Sequence, residues 1–438
     1  MSNENSELDT LLALHQNRFG RGCLMFMPSL THEGEVKSDL NRPLGAFEKL
    51  IWLVDQWTPR NFSVVARVEG DSIWGEDLKV ALGHAQRRHP ALRTAIQADE
   101  NGSPRFVPCG RPIHLRVVAR TNDMQWLPEV EAELSLPFQP DEGPLLRACL
   151  VLGATVSELI LTAHHSIGDG ISSMYLVRDL LESIEGYRLE ELPPRPPLED
   201  MVRDVKRVLL QEGHKSSPAP ANLRIVDRPQ KPTVQIVDIS SSELGRILVR
   251  CREEGTTLQG ALLAAVLLSL SEQPSVHCLS PISLRHLSAS IVDDFGLFLS
   301  SGMATLDRET ARYFWPLARA ARQQVVQALD PQALSERIAA MASVVSGDQN
   351  PQSVYENVWR GIGYNAVLTN LGRFPKLSKV NRFHVTALYP IQSPDVEPVI
   401  AVASADQHTS ITISSDARTG AALMPSFLAL LRLNARLA

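Results

Sequence analysis

The sequence predicts a mixed α+β protein with two domains, and three observations support this. The chain has 438 residues, which is too long for one ordinary hydrophobic core. Strand-like and helix-like apolar patterns occur in both halves of the chain. Prolines and polar residues crowd between the halves. We therefore predict an N-terminal extension (1–41), an N-terminal domain (42–190), a proline-rich crossover linker (191–232) and a C-terminal domain (233–438).

The N-terminal domain shows a regular succession of elements. Its predicted helices cover Ile73–Arg88 and Ile171–Ile184, and a short helix or turn is predicted at Ala46–Trp52. Its predicted strands cover Phe62–Val68, Thr94–Ala98, Pro104–Val107, Leu145–Leu152 and Glu158–His164. The dipeptide Asn101-Gly102 is typical of a hairpin turn. Because a short turn beginning at Gly153 separates the last two strands, we predict that they pair antiparallel.

The C-terminal part continues in the same style. Its predicted helices cover Leu198–Gln211, Glu243–Glu253, Leu258–Leu270 and the end of the chain from Ala421, and its predicted strands cover Thr233–Ile239, His277–Ile282, Val399–Ala403 and Thr409–Ser414. Ser240–Ser242, and either Thr256 or Thr257, are predicted helix caps. The helix at Leu258–Leu270 is predicted to be buried, because it is almost wholly apolar.

Composition and charge exclude several classes of protein. Hydrophobic residues make up 44% and charged residues 21% of the chain, which are values typical of globular proteins. The formal net charge is −6 and no block of Lys and Arg occurs, so a nucleic-acid partner is not expected. The most apolar run, Leu258–Leu270, is too short to span a bilayer.

Cysteine usage and the N-terminus indicate the compartment. The five cysteines are scattered, odd in number and mostly in apolar surroundings, which indicates reduced core thiols: Cys23, Cys109, Cys149, Cys251 and Cys278. The acidic, polar N-terminus does not have the pattern of a signal peptide. We expect a cytoplasmic protein that acts as a monomer and has no integral membrane association.

One stretch, Thr162-Ala-His-His-Ser-Ile-Gly-Asp-Gly170, has the pattern HHxxxDG. It follows an alternating apolar strand and precedes a helix, so it lies at a tight turn after a rigid strand. Successive side chains of a strand point to opposite faces. His164 and His165 therefore diverge, and one can be reactive while the other is packed.

The rest of the motif leaves several interpretations open. Gly168 and Gly170 permit close approach of another segment or a ligand. Asp169 can accept local hydrogen bonds or pair with a distant arginine. The two histidines could also be a core pair or metal ligands, although adjacent strand residues diverge and no further ligand cluster lies nearby. Ser166 invites a Ser-His nucleophile interpretation, but the chain has no GxSxG elbow.

The motif resembles the signature of the CoA-dependent acyltransferase superfamily, which includes chloramphenicol acetyltransferase, nonribosomal-peptide condensation domains, wax ester synthases and polyketide-associated acyltransferases. Other phrases resemble the family and occur in the expected order: Arg88–Arg93, Leu136–Pro140, Gly143–Arg147, Pro281–Arg285, Asp294–Gly296 and Thr369–Gly372. The resemblance extends from residue 42 to the end of the chain. It implies an α+β fold in which two chloramphenicol-acetyltransferase-like lobes form a V with a channel between them.

The resemblance also implies roles for individual residues. His165 is the expected general base, and His164 is expected to be structural. A free imidazole titrates near about 6.5, so at neutral pH it can take a proton, which is typically worth ~10²–10⁴-fold in rate. Asp169 and Gly170 are expected to hold the loop in shape, and Asp169 is expected to pair with Arg285.

Other residues keep two interpretations. For Arg285, a structural ion pair and a role in handling substrate both remain open. Ser166 and Asn370 are candidates for the substrate channel, and Asn370 either orients a carbonyl or caps a turn. No metal site and no permanently bound cofactor are expected.

The implied activity is acyl transfer in secondary-metabolite or lipid biosynthesis. The expected donor is acyl-CoA or acyl-phosphopantetheine, the latter on an acyl or peptidyl carrier protein as partner. The expected acceptor is a small-molecule alcohol, which would give an ester. Amide formation on an amine acceptor is the second candidate. A catalytically silent binding module and a hydrolase are the alternatives from other classes.

Overall fold

The computed structural model describes residues 40–202, 233–270, 275–288, 291–307, 313–347, 350–377, 379–393 and 397–435. Most of the predicted extension and of the predicted linker lies outside these ranges. The strands are β1 (Arg42–Pro43), β2 (Asn61–Gly70), β3 (Thr94–Ala98), β4 (Pro104–Pro108), β5 (His114–Ala119), β6 (Leu146–Leu152), β7 (Val156–His164), β8 (Thr233–Ser240), β9 (Ser275–Ser283), β10 (Leu299–Asp307), β11 (Ala366–Arg373), β12 (Phe383–Gln392), β13 (Val399–Ala405) and β14 (His408–Ser415).

The longer helices are α1 (Ala46–Asp55), α2 (Gly75–Arg88), α3 (Trp126–Ser135), α4 (Gly170–Ile184), α5 (Ser241–Glu253), α6 (Leu258–Ser269), α7 (Phe314–Gln327), α8 (Pro331–Gly347) and α9 (Ala417–Asn434). Among the helices described here, none is long and apolar enough to cross a bilayer.

A five-stranded sheet in the order β12-β2-β7-β6-β5 forms the centre of the N-terminal half. Its neighbours are antiparallel except for the parallel pair β5 and β6. Helix α2 buries Leu78, Ala81, Leu82 and Ala85, which recur on one helical face. That face and α4 share one hydrophobic core with the sheet. A small sheet, β1-β4-β3, contains the predicted hairpin, with Gly102 at φ 78° in its turn.

A six-stranded sheet in the order β10-β9-β11-β13-β14-β8 forms the centre of the C-terminal half. Helices α5, α6, α7 and α9 contribute to its core, and α6 is buried along most of its length. The hydroxyl of Thr257 accepts a hydrogen bond from Gly260 N at 3.2 Å, which caps α6. Ser240 caps α5 in the same way.

Strand β12 links the two halves, because it comes late in the chain but completes the N-terminal sheet. It pairs antiparallel with β2 from Phe383 opposite Gly70 to Gln392 opposite Phe62. It also contacts β13 and β14 of the other sheet. The Tyr389 hydroxyl lies 3.2 Å from a carboxylate oxygen of Asp238 on β8. The two sheets therefore meet along this strand.

The structure confirms most of the predicted elements and adds others. The antiparallel pair before the HHxxxDG motif, the caps of α5 and α6 and the buried character of α6 are confirmed. Of the helix predicted at Leu198–Gln211, the structure shows one helical turn, Leu198–Met201. Val202 is extended (φ −92°, ψ 125°), and the remaining residues lie outside the described ranges. Elements that the sequence patterns did not reveal are α3, α7, α8, β1, β5, β10, β11 and β12.

The described cysteines are unpaired thiols. Cys149, Cys251 and Cys278 are buried, and burial raises the pKa of each thiol to about 12. Cys109 is half-buried, and Cys23 lies outside the described residues. The three buried thiols are therefore protonated and inert at neutral pH.

The contribution of β12 to the N-terminal core can be tested at Phe383. This side chain is fully buried in that core, so Phe383→Ala should lower the free energy of unfolding by about 3–5 kcal/mol. The neighbouring side chain of His384 is exposed, so His384→Ala should change it by less than about 0.5 kcal/mol. Denaturant unfolding measures both. Equal midpoints for the two variants would contradict the role of β12.

Candidate active site

The HHxxxDG motif forms a loop between β7 and α4. His164 is the last residue of β7, and its backbone N–H donates to the Leu145 carbonyl at 3.0 Å. His165 follows, and its N–H donates to the Arg60 carbonyl at 3.0 Å. The two side chains point to opposite sides: His164 is buried, whereas His165 is half-buried and borders a cavity.

His164 is held inside the N-terminal half. Its Nδ1 accepts a hydrogen bond from Ser166 N at 3.1 Å, so the ring proton is on Nε2, which lies 3.2 Å from Asp55 Oδ2. Burial alone would raise the pKa of Asp55, but His164 and the Arg60 N–H lower it below its usual value. The Phe138 ring packs edge-on against the imidazole at 6.1 Å between centroids. These contacts give His164 a structural position.

His165 has a defined tautomer. Its Nδ1 lies 2.8 Å from the carbonyl oxygen of Gly168, and because that oxygen can only accept, Nδ1 carries the proton. Nε2 is then the nitrogen with a free lone pair, and it has no hydrogen-bond partner among the described residues. The Phe62 ring packs at 4.6 Å between centroids. Burial lowers the pKa of His165 below its usual value, and this effect exceeds the opposing one of Asp169.

Asp169 caps α4 and joins it to the C-terminal half. Its Oδ1 accepts from Ser172 N at 2.8 Å, and its Oδ2 accepts from Phe298 N at 3.1 Å and from Arg285 Nη1 at 2.8 Å. Both charged side chains are almost completely buried. Burial alone would raise the pKa of Asp169, but Arg285 and the backbone donors hold it below its usual value.

Arg285 makes more contacts than the predicted pairing with Asp169. It follows β9, and its Nη2 donates to the Ser172 hydroxyl at 2.7 Å and to the Asp294 carbonyl at 3.2 Å. The structure thus brings Asp169 and Arg285 together and connects both to the Asp294–Gly296 segment. These bonds engage Nη1 and Nη2 of the guanidinium, which favours the structural interpretation of Arg285.

The two glycines of the loop allow other segments to approach closely. A Cβ on Gly168 would lie 2.4 Å from Cε1 of Phe295, and a Cβ on Gly170 would lie 2.8 Å from Cδ2 of Leu371. Phe295 and Leu371 both belong to the C-terminal half. A side chain at Gly168 would therefore clash with the Phe295 ring, and one at Gly170 would require Leu371 to move.

A cavity of about 650 Å³, counted with its adjoining solvent space, borders His165. It is lined mostly by apolar side chains from both halves: Phe62, Val64, Ile171, Pro281, Ile282, Leu299, Leu371, Pro390, Ile391 and Ala401. A wider opening, of about 2280 Å³ with its adjoining solvent space, shares Ile171, Ser283 and Leu371 with the cavity, so the two adjoin each other. His165 thus lies at a cavity between the halves.

The two predicted channel residues differ in position. Asn370 lines the cavity, and its Oδ1 accepts from Gly372 N at 3.0 Å, which is the turn contact. Ser166 does not line it: the side chain is fully buried and its hydroxyl donates to the Glu48 carbonyl at 2.9 Å. The channel assignment of Ser166 is therefore corrected, because the turn after His165 directs its side chain into the N-terminal half. The same contact leaves Ser166 unsuited to act as a nucleophile.

Sequence reasoning missed several residues near the site. Ser172 accepts from Arg285 and from Gly296 N, the latter at 3.1 Å, and so connects the two halves. Its position three residues after an Asp helix cap is a capping-box signal that could have found it. Arg373 and Lys376 lie at the wider opening, and their spacing in the sequence forms no dense basic block. Within the described ranges no cluster of three or more His, Cys, Asp or Glu residues is placed to hold a metal ion.

The comparisons with known proteins agree with this geometry. Residues 58–335 match the family model of the condensation domain. That stretch is more than half of the chain, so the chain belongs to the condensation-domain family, within the CoA-dependent acyltransferase superfamily. The predicted family and the predicted two-lobed α+β fold are confirmed.

The curated relatives are much longer proteins. Phosphinothricin tripeptide synthetase PhsC of Streptomyces viridochromogenes is 34% identical over 189 residues, which are 39% of this chain and 17% of that protein. Polyketide synthase PksN of Bacillus subtilis is 28% identical over 157 residues, which are 34% of this chain and 3% of that protein. The matched stretch thus covers less than a fifth of the length of either relative.

Solved structures resemble nearly the whole chain. The condensation domain of the Monacolin K polyketide synthase MokA has a TM-score of 0.68 at 15% identity, covering 91% of this chain and 98% of that one. The X-domain from teicoplanin biosynthesis has a TM-score of 0.63 at 16% identity, covering 92% and 96%. Polyketide synthase associated protein 5 from Mycobacterium tuberculosis has a TM-score of 0.56 at 16% identity, covering 91% and 99%. At such identities the likeness shows the fold alone.

The coupling between Asp169 and Arg285 can be measured by a double-mutant cycle. Asp169→Asn leaves a buried guanidinium without its carboxylate, and should lower the free energy of unfolding by about 3–5 kcal/mol. Arg285→Met should cost a similar amount, and the double variant should cost clearly less than the sum of the two. Denaturant unfolding provides all three values. Additive losses would show that the two side chains are not coupled.

Acidification provides a control for this cycle. The pKa of Asp169 is lowered on folding, so the unfolded chain binds more protons at acidic pH. Its stabilising contribution is present above about pH 4 and is lost as the pH falls through the lower, folded value. As the pH falls through that range, the free energy of unfolding of Asp169→Asn should therefore decrease less than that of the wild type, as measured by denaturant unfolding.

Proposed function

We propose that the chain transfers an acyl group from a thioester on a phosphopantetheine arm, of CoA or of a carrier protein, to a hydroxyl acceptor. The observation that carries the proposal is the His165 ring. Its Nδ1 is committed to the Gly168 carbonyl, which leaves Nε2 as an unprotonated nitrogen at a mostly apolar cavity. This is the arrangement that a general base for acyl transfer requires.

The reaction needs one base and no covalent intermediate with the protein. His165 Nε2 takes the proton of the acceptor hydroxyl as its oxygen attacks the thioester carbonyl carbon. The C–S bond of the tetrahedral intermediate then breaks, and the imidazolium returns the proton to the departing thiolate sulfur. Asp169 takes no proton in this scheme, because its carboxylate is paired with Arg285 and its role is to hold the loop.

The charge balance of the cavity supports a neutral acceptor. Among its described lining residues the ionisable side chains are His165 and Asp169, and Asp169 is already paired. A protonated amine entering this space would lose hydration without gaining a counter-ion. An alcohol enters uncharged, so ester formation is the first candidate.

Amide formation is the second candidate, and the relatives favour it. They include a tripeptide synthetase and a linear gramicidin synthase from Brevibacillus parabrevis, whose names refer to peptide products. An amine acceptor would have to enter in its uncharged form. His165 would then take a proton from the amine nitrogen as that nitrogen attacks the thioester carbonyl carbon.

The wider opening provides an entrance for the donor arm. Besides apolar residues it carries Arg373, Lys376 and His384, with Asp406 as an opposing charge. Apart from Arg285, which is buried and paired with Asp169, the cations Arg373 and Lys376 are half-buried or exposed, so salt would screen their attraction for phosphate groups. The neutral pantetheine arm is therefore expected to contribute most of the binding, through the channel walls.

A donor and acceptor panel tests the proposal. Matched acyl-CoA, acyl-pantetheine and acyl-carrier thioesters are combined with alcohols, amines and water, and products are read by mass spectrometry together with thiol release. Ester formation with acyl-pantetheine, at higher KM and similar kcat than with acyl-CoA, is the expected result. Amide products alone would favour the second candidate, acceptor-independent thiol release would indicate a hydrolase, and no turnover would indicate a binding module.

Replacing the base should abolish most turnover. Because His165 supplies the proton transfer, His165→Ala should lower kcat by ~10²-fold or more while the thermal unfolding transition is retained. His114→Ala is the matched control, since His114 is exposed on β5 and lines neither the His165 cavity nor the wider opening. Turnover close to wild type in a folded His165→Ala variant would refute the assignment.

The pH profile gives an independent test of the same residue. Only the neutral imidazole is a base, so kcat/KM should rise with pH through the pKa of free-enzyme His165 and then level off. Burial lowers that pKa, so the inflection should lie below about 6.5. Steady-state kinetics across the acidic range measures it. An inflection clearly above the ordinary histidine value would contradict the structure.

A further inference from the structure

The cavity at His165 lies where two strands of the C-terminal sheet separate. Strands β9 and β11 pair in parallel only at Cys278 with Ala366 and at Leu279 with Val367. Two residues further on, Pro281 has no backbone N–H to continue the ladder. Beyond this point β9 stays paired with β10, and β11 stays paired with β13. The gap between β9 and β11 opens into the cavity.

Strand β13 forms part of the cavity wall behind this gap. Ile400 and Val402 are buried in the core of the C-terminal half with its helices. Because strand side chains alternate, Ala401 points to the opposite face, and it borders the cavity next to Thr369 of β11. Its methyl group is the smallest side chain on the β9, β10, β11 and β13 wall. A larger side chain at this position would project into the cavity.

The opposite wall comes from the N-terminal sheet and is also largely apolar. Val64 lies beside Pro390, and Ser63 lies beside Ile391, on the paired strands β2 and β12. Leu299 at the start of β10 is half-buried and borders the same space. The walls therefore present hydrocarbon surface on both sides, with a few uncharged polar groups.

No unpaired charge faces this space from the described residues. Asp169 is committed to Arg285 at 2.8 Å, and His165 is an uncharged base in the proposed mechanism. A free α-ammonium or a carboxylate on the bound acyl group would lose its hydration here without a counter-ion. A hydrocarbon chain would gain from burial in proportion to its apolar area.

Resting on the proposed function, we infer that the acyl group carried into this cavity is an uncharged hydrocarbon chain, and that Ala401 and Leu299 set the chain length it accepts. The thioester carbonyl lies at His165, the pantetheine arm leads out through the wider opening, and the chain extends between the two walls. The inference concerns the substrate class of the site and assigns no additional chemical step.

The first experiment compares donors that differ by one charged group. Octanoyl-pantetheine and 2-aminooctanoyl-pantetheine are used as donors with the same acceptor and the full chain. The octanoyl donor should give a kcat/KM at least about 10-fold higher, because the ammonium finds no partner in the cavity. A preference for the amino donor would overturn the inference and would instead indicate an aminoacyl substrate.

The second experiment changes the cavity in opposite directions. A series of butanoyl, hexanoyl, octanoyl, decanoyl and dodecanoyl donors is measured with the wild type, Ala401→Leu and Leu299→Ala. Ala401→Leu should shift the preferred chain to a shorter one and lower kcat/KM for the longest well-used donor by about 10-fold or more. Leu299→Ala should shift the preference to a longer chain. Ala401→Val is the smaller change if the leucine does not fold.

The outcomes separate this inference from the proposed function. If the wild type forms no acyl product with any donor, the proposed function fails, and the inference fails with it. If the wild type is active but the folded variants keep the wild-type length profile, the inference alone is overturned. Opposite shifts in Ala401→Val and Leu299→Ala support it even when Ala401→Leu is unstable.

Discussion

The buried ion pair between Asp169 and Arg285 is the interaction on which the candidate site depends. Asp169 belongs to the N-terminal half and Arg285 to the C-terminal half, and their atoms meet at 2.8 Å. Removing two charges from water is costly, and the cost is offset only when geometry and hydrogen bonding are good. Asp169 meets this condition with further bonds to Ser172 and Phe298. The pair therefore favours one relative placement of the two halves.

That placement determines the position of the His165 ring, the proposed base, through a short series of contacts. Asp169 starts α4, and the glycine before it, Gly168, holds His165 Nδ1 through its carbonyl oxygen. The Phe295 ring packs against Gly168 from the other half. The Asp294–Gly296 segment that carries Phe295 also receives a bond from Arg285. The same residues thus join the two halves and orient the imidazole of His165. A change in the contact between the halves therefore also alters the orientation of the ring.

The features that the sequence predicts are those that depend on local pattern. The strand, turn and helix around HHxxxDG and the divergence of His164 and His165 follow from period-2 and period-3.6 spacing. Local pattern does not predict the path of β12, because it does not indicate which sheet the strand joins. Gln392 of β12 pairs with Phe62 of β2, which is more than three hundred residues away in the chain. Adjacency to His165 favours Ser166 as a channel residue, but its hydroxyl binds the Glu48 carbonyl, a contact between distant segments that no local pattern reveals. The cavity arises where β9 and β11 separate, which depends on pairing that no single segment reveals.

Fold alone does not determine what such a protein does, and the chemistry must be argued from the site. The proposed chemistry requires an uncharged His165 ring at neutral pH, and two opposing effects control its pKa. Burial lowers its pKa, whereas the negative charge of Asp169 raises it. The guanidinium of Arg285, bound to the same carboxylate, offsets that negative charge. The ion pair that joins the two halves therefore also limits how strongly Asp169 can favour the protonated imidazole, while burial remains the larger effect on the pKa of His165.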